Sequence, residues 1–282
     1  MTIDAHHHIW DLAVRDQDWI SSEMWPVLGK NYTLDQWSAV AGPAGIDRSV
    51  IVQTVPDPGE TPELLEIAAG NAAVAGVVGW LDADPATVVA RIEEVRSGPG
   101  GDLWSGIRLM AEYGGDPGFL ARADVVEAVR LIGDAGLSVD LLLRPPQLSA
   151  ALSLVQANPD VRFVVDHLAK PDIAGGGLQA WADLIGRLAP YANVACKVSG
   201  LVTEARADWQ PADLVPYVDT VLEAFGPSRL MFGSDWPVCL LATDYDTVVA
   251  AARHVTASLS ADESADFWAG TASRWYALEE RS

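Results

Sequence analysis

Three consecutive histidines stand near the start of the sequence, within Asp-Ala-His-His-His-Ile-Trp-Asp at residues 4–11. The whole chain of 282 residues has only five histidines, so most of them are concentrated in this run. The run continues an apolar, strand-like segment, and alternate side chains of a strand share one face. His6 and His8 should therefore point together, and His7 should point away. A pair of imidazoles on one face can bind a metal ion or polarise a carbonyl group.

Polar or aromatic side chains also stand at or near the ends of later apolar runs, and each has a structural alternative. Alone, His167 could be a hydrogen-bonded core histidine, and Asp235 could cap a turn. His254 lies in a helical pattern, and Cys196 and Cys239 lack the spacing of metal ligands, so we interpret these three as structural. The remaining candidates are Gln53, Trp80, Arg108, His167, Lys197 and Asp235.

These candidates need elements that bring them together. Short runs dense in Val, Ile and Leu, typical of parallel strands covered on both faces, alternate with helical patterns. Eight β-then-α units in a chain of this length favour a single (β/α)8 barrel domain over residues 1–282. An open doubly wound sheet is the alternative, but no glycine-rich phosphate loop follows the first run. The predicted strands are 2–8, 49–54, 74–81, 103–109, 137–143, 161–167, 193–199 and 229–235.

Helix starts are marked between the runs by capping boxes and by proline at the first helical position. Gly226 should end one of the helices. The predicted starts are Thr33-Leu-Asp-Gln36, Thr61-Pro62, Asp84-Pro85, Pro211 and Ser260-Ala-Asp-Glu263.

The barrel prediction places the candidates at one end of the molecule. Active sites of such barrels lie at the C-terminal ends of the strands, which is where these residues fall. An unrelated scatter of polar residues would rarely converge in this way. Their joint placement therefore favours function, although no single residue does.

Composition excludes several classes of partner. The chain has 18 Lys and Arg against 39 Asp and Glu, and its formal net charge of −21 opposes binding to nucleic acid or anionic membranes. Apolar runs long enough for a membrane span and the pattern of a signal peptide are both missing from the sequence. With two cysteines, a reducing cytoplasm is expected. We expect a cytoplasmic protein that acts on a small molecule, with homo-oligomerisation left open.

Five motifs together resemble a known family. They are IDAHHHIWD, VVDHLAKP, KVSGL, LMFGSDWP and the closing GTASRWYAL, in this order along the chain. The sequence resembles the amidohydrolase superfamily, and more narrowly its sugar-lactonase branch, which contains L-fuconolactonase, L-rhamnonolactonase and 2-pyrone-4,6-dicarboxylate lactonase. The resemblance implies a (β/α)8 barrel, hydrolysis of a cyclic ester, and a site of His6, His8, His167 and Asp235.

The sequence departs from the wider superfamily at positions that bear on metal binding. Members with a tight metal centre add a histidine on the fifth strand, and those with two metals add a bridging group, often lysine, on the fourth. Here the fifth strand has no histidine and the fourth ends in Arg108. Two alternatives remain: one divalent metal, with zinc favoured, held by His6, His8, Asp235 and His167, or metal-independent hydrolysis.

The expected mechanism is direct attack by water. Asp235 would be the general base, and His6, His8 and His167 would polarise the carbonyl unless a metal does so.

Substrate contacts are expected from residues around the site. Basic and amide side chains suit hydroxyls or a carboxylate, and tryptophan faces suit a sugar ring. A long loop after the first strand, which carries Trp10, Trp19 and Trp25, should cover the site. The predicted binding residues are Gln53, Trp80, Arg108, Lys197, Trp25 and Trp236.

Two other functions stay open. One is a metal-dependent decarboxylase of an unsaturated or aromatic acid on the same barrel, which the missing fifth-strand histidine disfavours. The other is a non-catalytic protein that binds a sugar acid, which the combination of a carboxylate with three histidines disfavours.

Overall fold

The computed structural model describes residues 1–113 and 115–279. Eight parallel strands form one sheet in sequence order. The strands are β1 (Ile3–His7), β2 (Arg48–Val52), β3 (Val74–Gly79), β4 (Trp104–Met110), β5 (Ser138–Leu142), β6 (Phe163–Val165), β7 (Val194–Val198) and β8 (Leu230–Phe232).

The sheet closes next to the histidine run. Beyond β8, the amide of Asp235 donates to the carbonyl of His6 at 2.8 Å, and the amide of His8 donates to the carbonyl of Trp236 at 2.7 Å. The first and last strands are thereby joined, and the predicted (β/α)8 barrel is confirmed. Closure also fixes Asp235 beside His6 and His8, although they stand at opposite ends of the chain.

Helices connect successive strands around the barrel. In the described part of the chain they are α1 (Trp25–Leu28), α2 (Leu34–Ala41), α3 (Glu60–Ala69), α4 (Val88–Arg96), α5 (Ala123–Asp134), α6 (Leu148–Ala157), α7 (Leu178–Ile185), α8 (Leu201–Glu204), α9 (Pro211–Phe225), α10 (Tyr245–Val255), α11 (Ala261–Ala265) and α12 (Thr271–Trp275). The capping boxes at Thr33 and Ser260 are present, and α9 begins at Pro211 and ends at Gly226, as predicted.

Two predicted helix starts are wrong. Thr61 lies inside α3, and its hydroxyl bonds the backbone of Trp80 instead of capping the helix. Asp84 closes a turn by accepting from Ala86 N and Thr87 Oγ1, so α4 begins only at Val88. In both cases the side chain hydrogen-bonds a partner other than the first turn of the predicted helix.

Strands β6 and β8 are shorter than predicted. At Asp166 the chain leaves β6 for a tight turn, and β8 ends at Phe232, three residues before Asp235. The catalytic candidates His167 and Asp235 therefore lie on turns just beyond their strands, which frees their side chains from the regular alternation of a strand.

Apolar packing fixes the barrel from both sides. Inside, Ile3, Val50, Val78, Met231 and their neighbours form a cluster against Tyr276, and a larger cluster fills the space between the strands and the helices. Among residues 1–113 and 115–279, no helix has the length and apolar character that a bilayer crossing requires.

Candidate active site

Three histidine side chains converge at the C-terminal end of the barrel. His6 Nε2 and His8 Nε2 lie 3.2 Å apart, and the rings of His6 and His167 have centroids 4.4 Å apart. His7 points away and stacks on Trp37 at 4.6 Å between centroids. The predicted alternation of the histidine run is confirmed, because β1 turns His6 and His8 to the same side.

Asp235 completes this cluster. Its Oδ1 lies 3.4 Å from His8 Nε2 and 3.8 Å from the Nε2 atoms of both His6 and His167. Its backbone adopts a φ of 57°, in the left-handed region that non-glycine residues rarely enter. Such backbone strain is often found at functional sites, where the surrounding structure holds it.

A left-handed turn presents His167. Four successive residues, His167 to Lys170, have φ between 48° and 60°. Each left-handed residue other than glycine costs about 1–2 kcal/mol, so the surrounding contacts must stabilise this turn. His167 Nδ1 lies 2.8 Å from Ser199 Oγ, which fixes the imidazole ring. The turn brings both His167 and Lys170 to the cavity wall.

Protonation states follow from burial and neighbours. Burial acts to raise the pKa of Asp235, but His167 and His8 lower it below its ordinary value. Burial lowers the pKa of His167 to about 4, and burial together with the charge of Lys197 holds the pKa of His6 well below its usual value. At neutral pH, Asp235 is an ionised carboxylate, and His6 and His167 are neutral.

Partners of the ring nitrogens assign the tautomers. His8 Nδ1 lies 2.8 Å from the carbonyl oxygen of Val52, so it carries the proton and its Nε2 is an acceptor in the neutral ring. His6 Nδ1 lies 3.1 Å from Lys197 Nζ and 3.3 Å from Asp166 Oδ1. Lys197 donates when this nitrogen is bare, and Asp166 accepts when it is protonated. Both tautomers of His6 are therefore satisfied.

A buried charge network, which the sequence analysis did not identify, lies beneath the histidines. Lys197 Nζ donates to Asp140 Oδ2 at 2.5 Å and lies 3.0 Å from Asp166 Oδ1. The hydroxyl of Tyr276 donates to the Asp140 carboxylate. The available signal was a charged residue, Asp140, inside the apolar fifth strand, where burial demands a partner.

Arg108 lies between this network and the cavity. Its Nη1 is 3.6 Å from Asp166 Oδ2, and its Nη2 donates to the backbone oxygen of Gln53 and, at 3.3 Å, to Gln53 Oε1. The Arg108 side chain also lines the cavity, so it is positioned to contact a bound molecule.

The cavity above the cluster has a volume of about 630 Å³, which suits a small organic substrate. Trp19 and Met24, from the long loop after β1, lie on one side of it. The charged side chains at its wall that the sequence analysis did not single out are Glu112, Arg144, Lys170, Glu204 and Arg206.

Five predicted binding residues lie elsewhere among the described residues. Lys197 and Gln53 are fully buried beneath the cavity, and Trp236 is buried edge-on against Tyr32. Trp80 lines a neighbouring cavity, and Trp25 is 52% exposed on the surface. A position at a strand end sets the height of a residue along the barrel, but its local contacts decide where the side chain points.

The cluster fits a metal ion. His6, His167 and Asp235 each offer a ligand atom, and these atoms lie within 4.8 Å of one another. His8 Nε2 is within 3.4 Å of both His6 Nε2 and Asp235 Oδ1. Tetrahedral zinc with bonds of about 2.0–2.1 Å separates its ligands by about 3.3–3.4 Å. The distances from His8 to His6 and to Asp235 are close to this, and imidazole and carboxylate are donors that suit zinc.

The chain is similar to known proteins over nearly its whole length. The chain is 36% identical to an L-fucono-1,5-lactonase from Burkholderia multivorans, over 99% of this chain and 97% of the relative. A solved amidohydrolase from Burkholderia multivorans with bound zinc superposes with a TM-score of 0.92 at 35% identity, covering 99% of this chain and all of that one. Amidohydrolase 2 from Bifidobacterium longum subsp. infantis shares the fold, with a TM-score of 0.76 at 23% identity and 99% coverage of both chains. The Amidohydrolase family profile matches residues 3–278. Sequence and fold agree over nearly the whole length, and the chain belongs to the amidohydrolase family.

Proposed function

We propose that this chain hydrolyses the lactone of a sugar acid. The observation that carries the proposal is an ionised carboxylate, Asp235, surrounded by three imidazoles at the floor of the cavity. A lactonase needs a base for water, a donor for the carbonyl oxygen and a proton for the departing ring oxygen. The relative named as an L-fucono-1,5-lactonase supports a lactone of a sugar acid as the substrate class.

Asp235 is the proposed base. Its low pKa keeps it ionised at neutral pH, and its Oδ1 faces the space between the imidazoles. After taking a proton from the attacking water, it can return that proton to the ring oxygen as the carbon–oxygen bond breaks. Direct attack needs no covalent intermediate. Ser199 is buried and bonded to His167, so we assign it the role of orienting that ring.

His167 is the proposed donor to the carbonyl oxygen. When the Ser199 hydroxyl donates to His167 Nδ1, the ring proton sits on Nε2, 3.8 Å from Asp235. His8 has its proton on the opposite nitrogen, bonded to Val52. While Lys197 donates to His6 Nδ1, the His6 Nε2–H has His8 Nε2 as its hydrogen-bond acceptor at 3.2 Å. His167 therefore has the N–H that is best placed to stabilise negative charge on the substrate oxygen.

A single divalent metal, which we propose to be zinc, would be held by His6, His167 and Asp235, with His8 as a neighbouring donor. When bound, it supplies Lewis-acid polarisation of the carbonyl and lowers the pKa of water. The proposal of zinc is supported by the zinc-containing solved relative and by the donor set.

Trp19 is the proposed sugar platform. It is the tryptophan of the loop after β1 that lies at the cavity among the described residues, and Gln17 Oε1 accepts from its indole N–H at 2.8 Å. This bond fixes the ring plane, and a fixed indole face can cover the C–H face of a sugar ring.

A pH-indicator assay with five- and six-membered sugar lactones, run with and without a chelator, tests the proposal. We expect acid release from at least one lactone, and only a partial loss of rate on chelation because the fifth strand contributes no histidine ligand. Absence of turnover across the panel would contradict lactonase activity, and release of carbon dioxide from an unsaturated acid would favour the decarboxylase instead. A complete loss on chelation, reversed by zinc, would show that catalysis depends on the metal.

A further inference from the structure

Four charged side chains form a continuous chain of ion pairs along one side of the cavity. We call Lys170, Glu112, Arg144 and Glu204 the charged wall. Lys170 Nζ donates to Glu112 Oε2 at 2.6 Å, and Arg144 Nε donates to Glu112 Oε1 at 2.7 Å. Arg144 Nη1 donates to Glu204 Oε2 at 3.2 Å. The four residues come from the segments that follow β4, β5, β6 and β7, so four neighbouring strands build this wall.

The charged wall is electrically balanced. It holds two cations and two carboxylates, and each cation already faces a carboxylate at hydrogen-bond distance. Burial acts to raise the pKa of Glu112, but Lys170 and Arg144 lower it below its ordinary value, so the carboxyl is ionised. Three of the four side chains are 13–18% exposed and Arg144 is 45% exposed, so the wall can touch a bound molecule.

Balanced charge selects against an anionic substrate group. A carboxylate entering the cavity loses hydration, and a cation that already faces a carboxylate compensates that loss less than a free cation would. Lys170 and Arg144 have no free positive charge to offer, because Glu112 and Glu204 neutralise them. Neighbouring carboxylate oxygens would also repel the anion.

The same arrangement suits hydroxyl groups. A hydroxyl both donates and accepts, and the wall offers carboxylate acceptors beside ammonium and guanidinium donors. Neutral hydroxyls leave the ion pairs intact and use the lone pairs and N–H groups that the pairs leave over. Lys170 and His167 lie in the same left-handed turn and line the same cavity. A lactone ring whose carbonyl group contacts the histidines would therefore place its hydroxyls near the charged wall.

We propose that the charged wall recognises the hydroxyls of a neutral, polyhydroxylated lactone and rejects lactones that carry an additional carboxylate. This inference rests on the proposed lactonase activity and names its substrate class. Glu112 is the central specificity residue, because it pairs with both cations of the wall.

The test compares kcat/KM of wild type and Glu112→Gln on three lactones. They are a polyhydroxylated sugar lactone, the unsubstituted six-membered δ-valerolactone, and a six-membered lactone with a ring carboxylate. Wild type should prefer the first and be slowest on the third. A hydrogen bond to a charged group corresponds to a loss of about 10- to 100-fold, so Glu112→Gln should lose this much on the sugar lactone and less than about threefold on δ-valerolactone. Its rate on the carboxylated lactone should rise, because Lys170 and Arg144 lose a partner.

Controls separate recognition from folding. Glu127→Gln removes an exposed ion pair with Arg130 on α5, remote from the cavity, and should leave all three rates unchanged. If Glu112→Gln does not fold, Glu204→Gln removes one of the two carboxylate partners of Arg144, leaves Lys170 paired, and should show the same pattern more weakly.

Other results would overturn the inference. Equal losses on the sugar lactone and δ-valerolactone, or a wild-type preference for the carboxylated lactone, would assign the charged wall a structural role. Wild type that hydrolysed none of the three would contradict the proposed lactonase activity itself, which is a separate outcome.

Discussion

At the scale of single residues, the site depends on buried groups whose neighbours set their protonation. Asp235 combines burial with three imidazoles, and the outcome is an ionised carboxylate beside the neutral rings of His6 and His167. In the proposed mechanism, this combination would let the carboxylate accept a proton while an imidazole N–H faces the substrate oxygen.

Replacing Asp235 by asparagine should abolish base catalysis with little change in shape. Asparagine keeps the size of the side chain but cannot take a proton from water, so kcat should fall by about 10²–10⁴. Substrate affinity should change little, since the lost interaction belongs mainly to the transition state. Steady-state kinetics with a circular-dichroism check of folding would measure this. If kcat stayed within a few-fold of wild type, the base would have to be one of the histidines.

Activity should persist into acidic solution. Asp235 has a lowered pKa and acts when ionised, so its contribution is present above that pKa and is lost as the pH falls through it, below about 3.8. His167 becomes protonated only near pH 4. The acidic limb of kcat/KM should therefore lie at or below pH 4, as measured by a pH–rate profile. A limb near pH 6.5, the ordinary pKa of histidine, would identify an imidazole as the base.

At the scale of elements, turns beyond the strands aim the reactive groups. Gly200, which follows β7, has a φ of +65°. A methyl group on it would lie 2.6 Å from His167 Nδ1 and 3.2 Å from Asp235 Oδ2. Glycine is therefore needed here both for its backbone conformation and for the space it leaves.

Gly200→Ala should damage catalysis more than folding. The left-handed backbone costs alanine about 1–2 kcal/mol. Displacement of His167 and Asp235 by a fraction of an ångström to an ångström should lower kcat by up to about 100-fold. Gly136→Ala is the matched control, because Gly136 has a φ of +82° and nothing within 4 Å of the added methyl. It should lose similar stability in urea unfolding and keep full activity; equal kcat in the two variants would contradict the steric argument.

At the scale of the whole molecule, the barrel interior joins the site to the fold. Lys197 on β7 lies between Asp140 on β5 and Asp166 beyond β6, and it also reaches His6 on β1. Burial acts to raise the pKa of Asp166, but Lys197 and His6 hold it well below its ordinary value. One ammonium group thus compensates two buried carboxylates and stabilises the floor of the active site.

Lys197→Met should destabilise the protein strongly. Removing one partner of a buried ion pair costs about 3–5 kcal/mol because the remaining charge is uncompensated. The loss of unfolding free energy should be smaller at pH 5 than at pH 7. Burial raises the pKa of Asp140 to about 6, so at pH 5 this carboxyl binds a proton and one unpaired charge disappears. Urea unfolding at pH 5 and pH 7 measures both effects. Arg130→Met, which removes exposed ion pairs on α5, should change little, and an equally small change for Lys197→Met would show that the network adds no net stability.

The sequence by itself determined the architecture and the grouping of the candidate catalytic residues. Apolar runs alternating with helical patterns predict the barrel, since parallel strands buried on both faces leave that signature. The barrel rule then places His6, His8, His167 and Asp235 at one end, because all the strand C-termini meet there.

Only the tertiary structure decided which side chains share the cavity. Lys197 and Arg108 both fall late in a predicted strand, yet one is buried in an ion-pair network and the other lines the cavity. The charged wall was not predicted because its four residues lie in separate loops, and ion pairing between them depends on the three-dimensional approach of β4 to β7. Local periodicity reports the burial of a segment but carries no information on which distant charges will meet.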